Sequence, residues 1–166
     1  MKDLKLRILF LFFLLSFITI QGFAQNFSKL DKIPLKEDAD YKKAEKAVLQ
    51  CAKYIITNPI QKDDKKRKSA ENFISKWMAG TPHFTFSIDY ALPQIVGNNG
   101  EVLGVYLAYY SKYTIENTGG DDNDDILKRT LMSFLEYCKN PSNKVEMTDI
   151  MKQLIEQERD SRFQTL

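Results

Sequence analysis

Histidine is nearly absent from this chain: among 166 residues only His83 carries an imidazole. One histidine cannot assemble a multi-histidine metal centre. Cysteine is almost as scarce, and Cys51 and Cys138 form no CxxC pair, which removes the common dithiol redox motif. No G-x-S-x-G elbow, no S-x-x-K and no glycine-rich phosphate loop occurs. A carboxylate pair for glycoside hydrolysis has no linear signature, because its separation exists only in three dimensions. Nothing nominates two such acids here. The chain therefore reads as non-enzymatic, with neither cofactor nor metal expected.

Long apolar runs are also missing, apart from one. Ile8 to Ile20 is apolar almost throughout, after Lys2, Lys5 and Arg7 and before Gly22-Phe23-Ala24. Its 13 residues fall short of the roughly 20 that span a bilayer. A basic start, a short apolar run and small residues at the end define a secretory signal. Residues 1–24 are thus expected to be removed between Ala24 and Gln25, leaving the protein periplasmic or secreted. No later stretch is apolar enough to span a membrane.

An excess of charge is missing too, once the leader is set aside. It holds three basic residues and one acid, so the remainder carries 21 of each sign. A neutral domain lacks the positive surface that nucleic acid demands. The two halves are polarised, however. Residues 25–96 hold 13 basic and 9 acidic side chains, and residues 97–166 hold 8 and 12. Two differently solvated surfaces account for this; docking of the halves, or head-to-tail pairing of molecules, is the alternative.

What is present is helical periodicity. Residues 25–38, with Pro34, read as an irregular lead-in, and 39–166 as one helical domain. Tyr41, Ala44, Val48, Cys51 and Ile55 recur at three- and four-residue steps, and Asn58-Pro59 stops that helix. Asp63 or Asp64 caps a second, with Ala70, Phe73, Ile74, Trp77 and Met78 on its core face and Gly80-Thr81-Pro82 at its end. His83 to Ile88 alternates as a strand would. With no second strand to pair, residues 82–88 are expected as an extended connector laid across helices. A short helix disturbed by Pro93 and a turn at Asn98-Asn99-Gly100 follow. A helix over 100–116 carries Leu103, Tyr106, Leu107 and Tyr110 beside a narrow strip of Gly104, Ala108 and Ser111, which lets another helix approach closely. The next buries Leu127, Leu131, Phe134, Leu135 and Cys138 and ends at Asn140-Pro141. A last one starts near Ser142. The expectation is an all-α single domain of five to six helices packed as helical hairpins. The 34-residue period of a tetratricopeptide array is absent.

Several clusters need weighing. Asp121, Asn123 and Asp125 alternate like calcium ligands, but Ile126 replaces the required glycine and Met132 the closing glutamate. Acids at a helix start, favourable by about 0.3–1 kcal/mol each, explain the loop better. Lys62, Lys65, Lys66, Arg67 and Lys68 lack interleaved aromatics for stacking bases and read as a solvated helix face. Tyr106, Tyr109, Tyr110 and Tyr113 cover one broad helix face, as a core edge or as a platform for a sugar. Cys51 and Cys138 lie on apolar helix faces in an oxidising compartment. They are either two separate buried thiols or a disulfide stabilising by about 4–5 kcal/mol.

The most distinctive string runs from Trp77 to Phe86: Trp-Met-Ala-Gly-Thr-Pro-His-Phe-Thr-Phe. With the leader, and over the region from Tyr41 to Tyr113, it resembles small exported bacterial helical proteins sharing a W-M-x-G-T-P-x-F-T-F string. That resemblance implies export and a helical fold, and no activity. By itself the string reads as a helix end pinned by aromatics. The functional expectation is binding of an envelope protein or of a second copy. The alternative is a glycan or small-ligand module whose aromatic cleft uses Trp77, His83, Phe84, Tyr106 and Tyr110.

Overall fold

The computed structural model describes residues 27–87, 90–117 and 122–163, and among them are six α-helices and two 3-10 turns. The fold is all-α, and no strand occurs among the described residues. The leader expected over 1–24, and Asp121 of the acidic loop, lie outside them. The helices are α1 (Asp38–Thr57), α2 (Lys65–Gly80), α3 (Leu92–Val96), α4 (Gly100–Glu116), α5 (Asn123–Lys139) and α6 (Asp149–Phe163).

Local chemistry sets the boundaries. Asp64 caps α2, its carboxylate accepting from the amides of Lys66 at 2.9 Å and Arg67 at 3.0 Å. Asn99 does the same for α4, accepting from Glu101 and Val102. Each cap satisfies amides that a helix start would otherwise leave unpaired. Pro93 falls in the first turn of α3, where a missing N–H costs nothing.

Helix α4 is the centre. It packs on α1, α2 and α5, while α1 and α2 form a hairpin of their own. The core contains Val48, Cys51, Ile55, Ile74, Trp77, Val105, Tyr110 and Phe134, all fully buried. Residues 81–87 cross this core in extended form, as the alternation suggests. Phe84 and Phe86 each lie 5.8 Å from the Trp77 ring, and the Ser87 amide donates to the Tyr110 hydroxyl.

Two expectations are corrected. Part of the lead-in is regular: Phe27–Lys32 forms a 3-10 turn that buries Phe27 and Leu30. Side chains three apart eclipse in a 3-10 turn, so both rest on one side, with Phe27 5.0 Å from the Tyr54 ring. The last helix begins at Asp149 rather than near Ser142. Asn140 caps a separate turn, Pro141–Asn143, and Lys144 is left-handed (φ 58°), which ends it. The helix starts only where the Thr148 hydroxyl accepts from the Met151 amide. It leans on α3. Of the two readings of Cys51 and Cys138, the structure has the separate buried thiols. Both are buried, and burial pushes each thiol up to about 12.

Candidate ligand groove between α2 and α4

The residues expected to line an aromatic cleft are mostly core. Trp77 is fully buried, its indole N–H donating to the Tyr41 carbonyl at 3.0 Å. Tyr106 and Tyr110 are buried, with Tyr110 5.0 Å from Phe86 and Tyr106 5.7 Å from Phe134. Phe84 is half-buried against Trp77. These rings do meet, as a chain of edge-to-face contacts that fastens the connector to α2 and α4. They leave no open aromatic wall. His83 is exposed, with Nε2 3.1 Å from the Asp38 carbonyl, at the edge of this chain. Tyr109 and Tyr113 stack at 6.0 Å, and the cations of Lys112 and Arg129 each lie 4.7 Å from the Tyr113 ring.

A different site emerges one helix face away. A groove of about 530 Å³ runs between α2 and the start of α4. Lys68, Glu71, Asn72 and Ser75 line it from α2, Asn98 and Asn99 from the turn, and Glu101, Leu103, Gly104 and Leu107 from α4. The size suits a small ligand, but the walls are carboxyl, amide and hydroxyl with two leucines. Such a mixed surface can take a hydroxylated ligand that also has an apolar face.

Glu71 is the most perturbed group in the groove. Its side chain lies across Gly104, where an added Cβ would come within 2.6 Å of Oε1 and 2.7 Å of Cγ. The glycine thus leaves the space that the glutamate fills. Burial pushes the Glu71 carboxyl up to about 7; Arg67 pulls it down less strongly, and the negative charges of Glu101 and Asp64 push it further up. A perturbed acid in a cleft is a candidate functional position.

Behind Glu71 stands Arg67, completely buried although it belongs to the expected basic face. Its Nη2 donates to the Ile55 and Asn58 carbonyls at 3.0 and 2.7 Å and to the Tyr137 hydroxyl at 3.2 Å. Nη1 lies 3.5 Å from Glu71 Oε1, while Nε has no hydrogen-bond partner among the described residues. Lys62, Lys65, Lys66 and Lys68 are exposed. The missed residue had a sequence signal, since 67, 70, 74 and 77 share one helical stripe with Ala70, Ile74 and Trp77. Glu71 had none, because its environment comes from Gly104 on another helix.

No protein-family model, curated protein or solved structure matches the chain. The groove is therefore read from its own chemistry.

Proposed function

We propose that this is an exported, non-catalytic binding protein that takes a hydroxylated small ligand, such as the end of a glycan, between α2 and α4. The observation that carries this is the lining of the groove: Asn72, Ser75, Asn98, Glu71 and Glu101 surround one cavity with hydrogen-bonding groups, beside Asn99, whose side-chain oxygen is taken by the α4 cap. Leu103 and Leu107 supply an apolar strip for a ring face. Trp77, Tyr106 and Tyr110, which the alternative reading placed in an aromatic cleft, are buried, so the ligand reading moves to this groove. Chemical-shift mapping with N-acetylglucosamine and glucose disaccharides tests it. Shifts confined to 68–75 and 98–107 support it, and a flat titration with every sugar overturns it. Export is tested by the mass of the mature chain recovered from cells, which should begin at Gln25.

A second reading, contact with an envelope protein or a second copy, has its own observation. Leu131, Met132 and Leu135 of α5 and Leu154 of α6 line an apolar groove of about 520 Å³, rimmed by Lys128, Gln157 and Glu158. Crosslinking in intact cells through a photo-reactive residue at position 132 tests this face. A crosslinked band supports partner contact there, and its absence removes the reading.

A further inference from the structure

Another groove, of about 410 Å³, runs along the seam of α1 and α4. Helix α1 turns Ala44, Val48, Cys51 and Ile55 to the core. The stripe beside them, Lys46, Leu49, Lys53 and Ile56, lines the groove together with Gln50. Lys112 and Glu116 line it from α4 and pair with each other. Leu49 and Ile56 are half-buried, whereas Lys46 and Lys53 are exposed. Neither of these two lysines has a carboxylate partner among the described residues. The groove thus offers an apolar strip bordered by two unpaired ammonium groups. Their spacing selects an occupant. Lys46 and Lys53 stand seven residues apart, about 10.5 Å along the helix axis, and Leu49 and Ile56 repeat at the same interval. A helix lying along α1 presents its own side chains at that interval. A fatty acid would bring one carboxylate to two cations.

We propose that the α1–α4 groove docks an amphipathic helix of another protein, one with leucines on one face and glutamates a heptad apart beside them. The leucines cover Leu49 and Ile56, and the glutamates pair with Lys46 and Lys53. Apolar anchors with flanking charges are the general means by which a helix is held in a groove. The stems of the two lysines widen the apolar strip while their heads stay in water. This groove shares no lining residue with the one between α2 and α4, so the proposal stands whether or not a sugar binds there.

The test is fluorescence anisotropy of the purified protein with two labelled synthetic helices, one carrying heptads of leucine flanked by glutamate and the other with lysine in place of each glutamate. The acidic helix should bind and the basic one should not. Affinity for the acidic helix should fall about tenfold in K46E/K53E and about fivefold in L49S. The double variant K65E/K128E makes the same change of charge at exposed lysines outside this groove and should bind as wild type does. If L49S does not fold, the lysine variants still decide. No binding of the acidic helix, equal binding of both helices, or an equal loss in K65E/K128E overturns the proposal. Phosphatidylglycerol vesicles bound in place of the peptide, and released by K46E/K53E, overturn it in favour of a membrane surface. A dimer in sedimentation that K46E/K53E dissolves overturns it in favour of a second copy.

Discussion

Arg67 shows what a buried charge does in a small helical domain. The guanidinium comes from the first turn of α2 but binds the Ile55 and Asn58 carbonyls at the end of α1. It therefore supplies the donor and the positive charge that a helix C-terminus favours. Replacing Arg67 with alanine would take the side-chain donor from the Ile55 carbonyl, leave the Asn58 carbonyl only the Tyr137 hydroxyl and leave Glu71 without its counter-charge, and breaking such a buried pair costs about 3–5 kcal/mol. Urea unfolding of R67A should show that loss, and R67K should recover only part of it, because one ammonium cannot reproduce the fork. Glu71 works in the opposite sense. Its carboxyl is raised from 4.5 to about 7 on folding, so the folded state holds its proton more tightly than the unfolded chain. Its stabilising effect is complete below pH 4.5 and is lost as the pH rises through about 7. The difference is on the order of 2–3 kcal/mol. Thermal melts between pH 4.5 and 8.5 should show wild type losing stability relative to Glu71→Gln over this window. Parallel curves for the two proteins would refute that assignment.

Among the elements, the contact of α2 with α4 carries both packing and site. Gly104 permits the contact, because Glu71 occupies the volume a side chain would take. Gly104→Ala would gain about 1 kcal/mol of helix propensity but must push the Glu71 carboxyl out toward solvent. Little net change in stability is expected, together with a fall of the Glu71 midpoint toward the ordinary carboxylate range, read from its Cδ shift. At the start of α2, Asp64 accepts two amides and the Tyr54 hydroxyl. Burial raises its carboxyl, but these hydrogen bonds and Arg67 together hold it below its usual value. Asp64→Ala should cost about 1–2 kcal/mol, with the difference shrinking as acid protonates the carboxylate. Caps, Pro and Gly made the bounds of α1, α2, α4 and α5 legible, because those signals act within a few residues. The start of α6 was illegible for the same reason. The left-handed Lys144 and the Thr148 hydroxyl bond carry no pattern that periodicity detects. Trp77, Tyr106 and Tyr110 were legible on the apolar stripes of their helices, because periodicity is a local signal, but the rings they meet across residues 81–87 were not. The groove was invisible because its parts lie on two helices and one turn.

At the scale of the whole molecule, the two Asn-Pro turns legible in the sequence meet in space. The Ile60 amide donates to the Asn143 carbonyl, and the Tyr137 hydroxyl donates to the Asn58 carbonyl. The end of α1 is thereby tied to the end of α5, with Arg67 bonded to both Asn58 and Tyr137. Cys51 and Cys138 are buried within the helices that this tie joins. Burial that holds both thiols near 12 leaves almost no thiolate at neutral pH, and only the thiolate attacks an alkylating reagent. Alkylation must then wait for opening of the helices around each sulfur, and for core residues that opening approaches global unfolding. Iodoacetamide labelling followed by intact mass should show both cysteines unmodified in the native state and modified at once in denaturant. R67A, which removes the Arg67 bonds to Asn58 and Tyr137 but leaves the Tyr137–Asn58 and Ile60–Asn143 bonds, should speed both reactions in proportion to its lost stability. Fast labelling of Cys138 alone in the wild type would instead mean that the α5 end opens independently, and that the tie does not unify the domain.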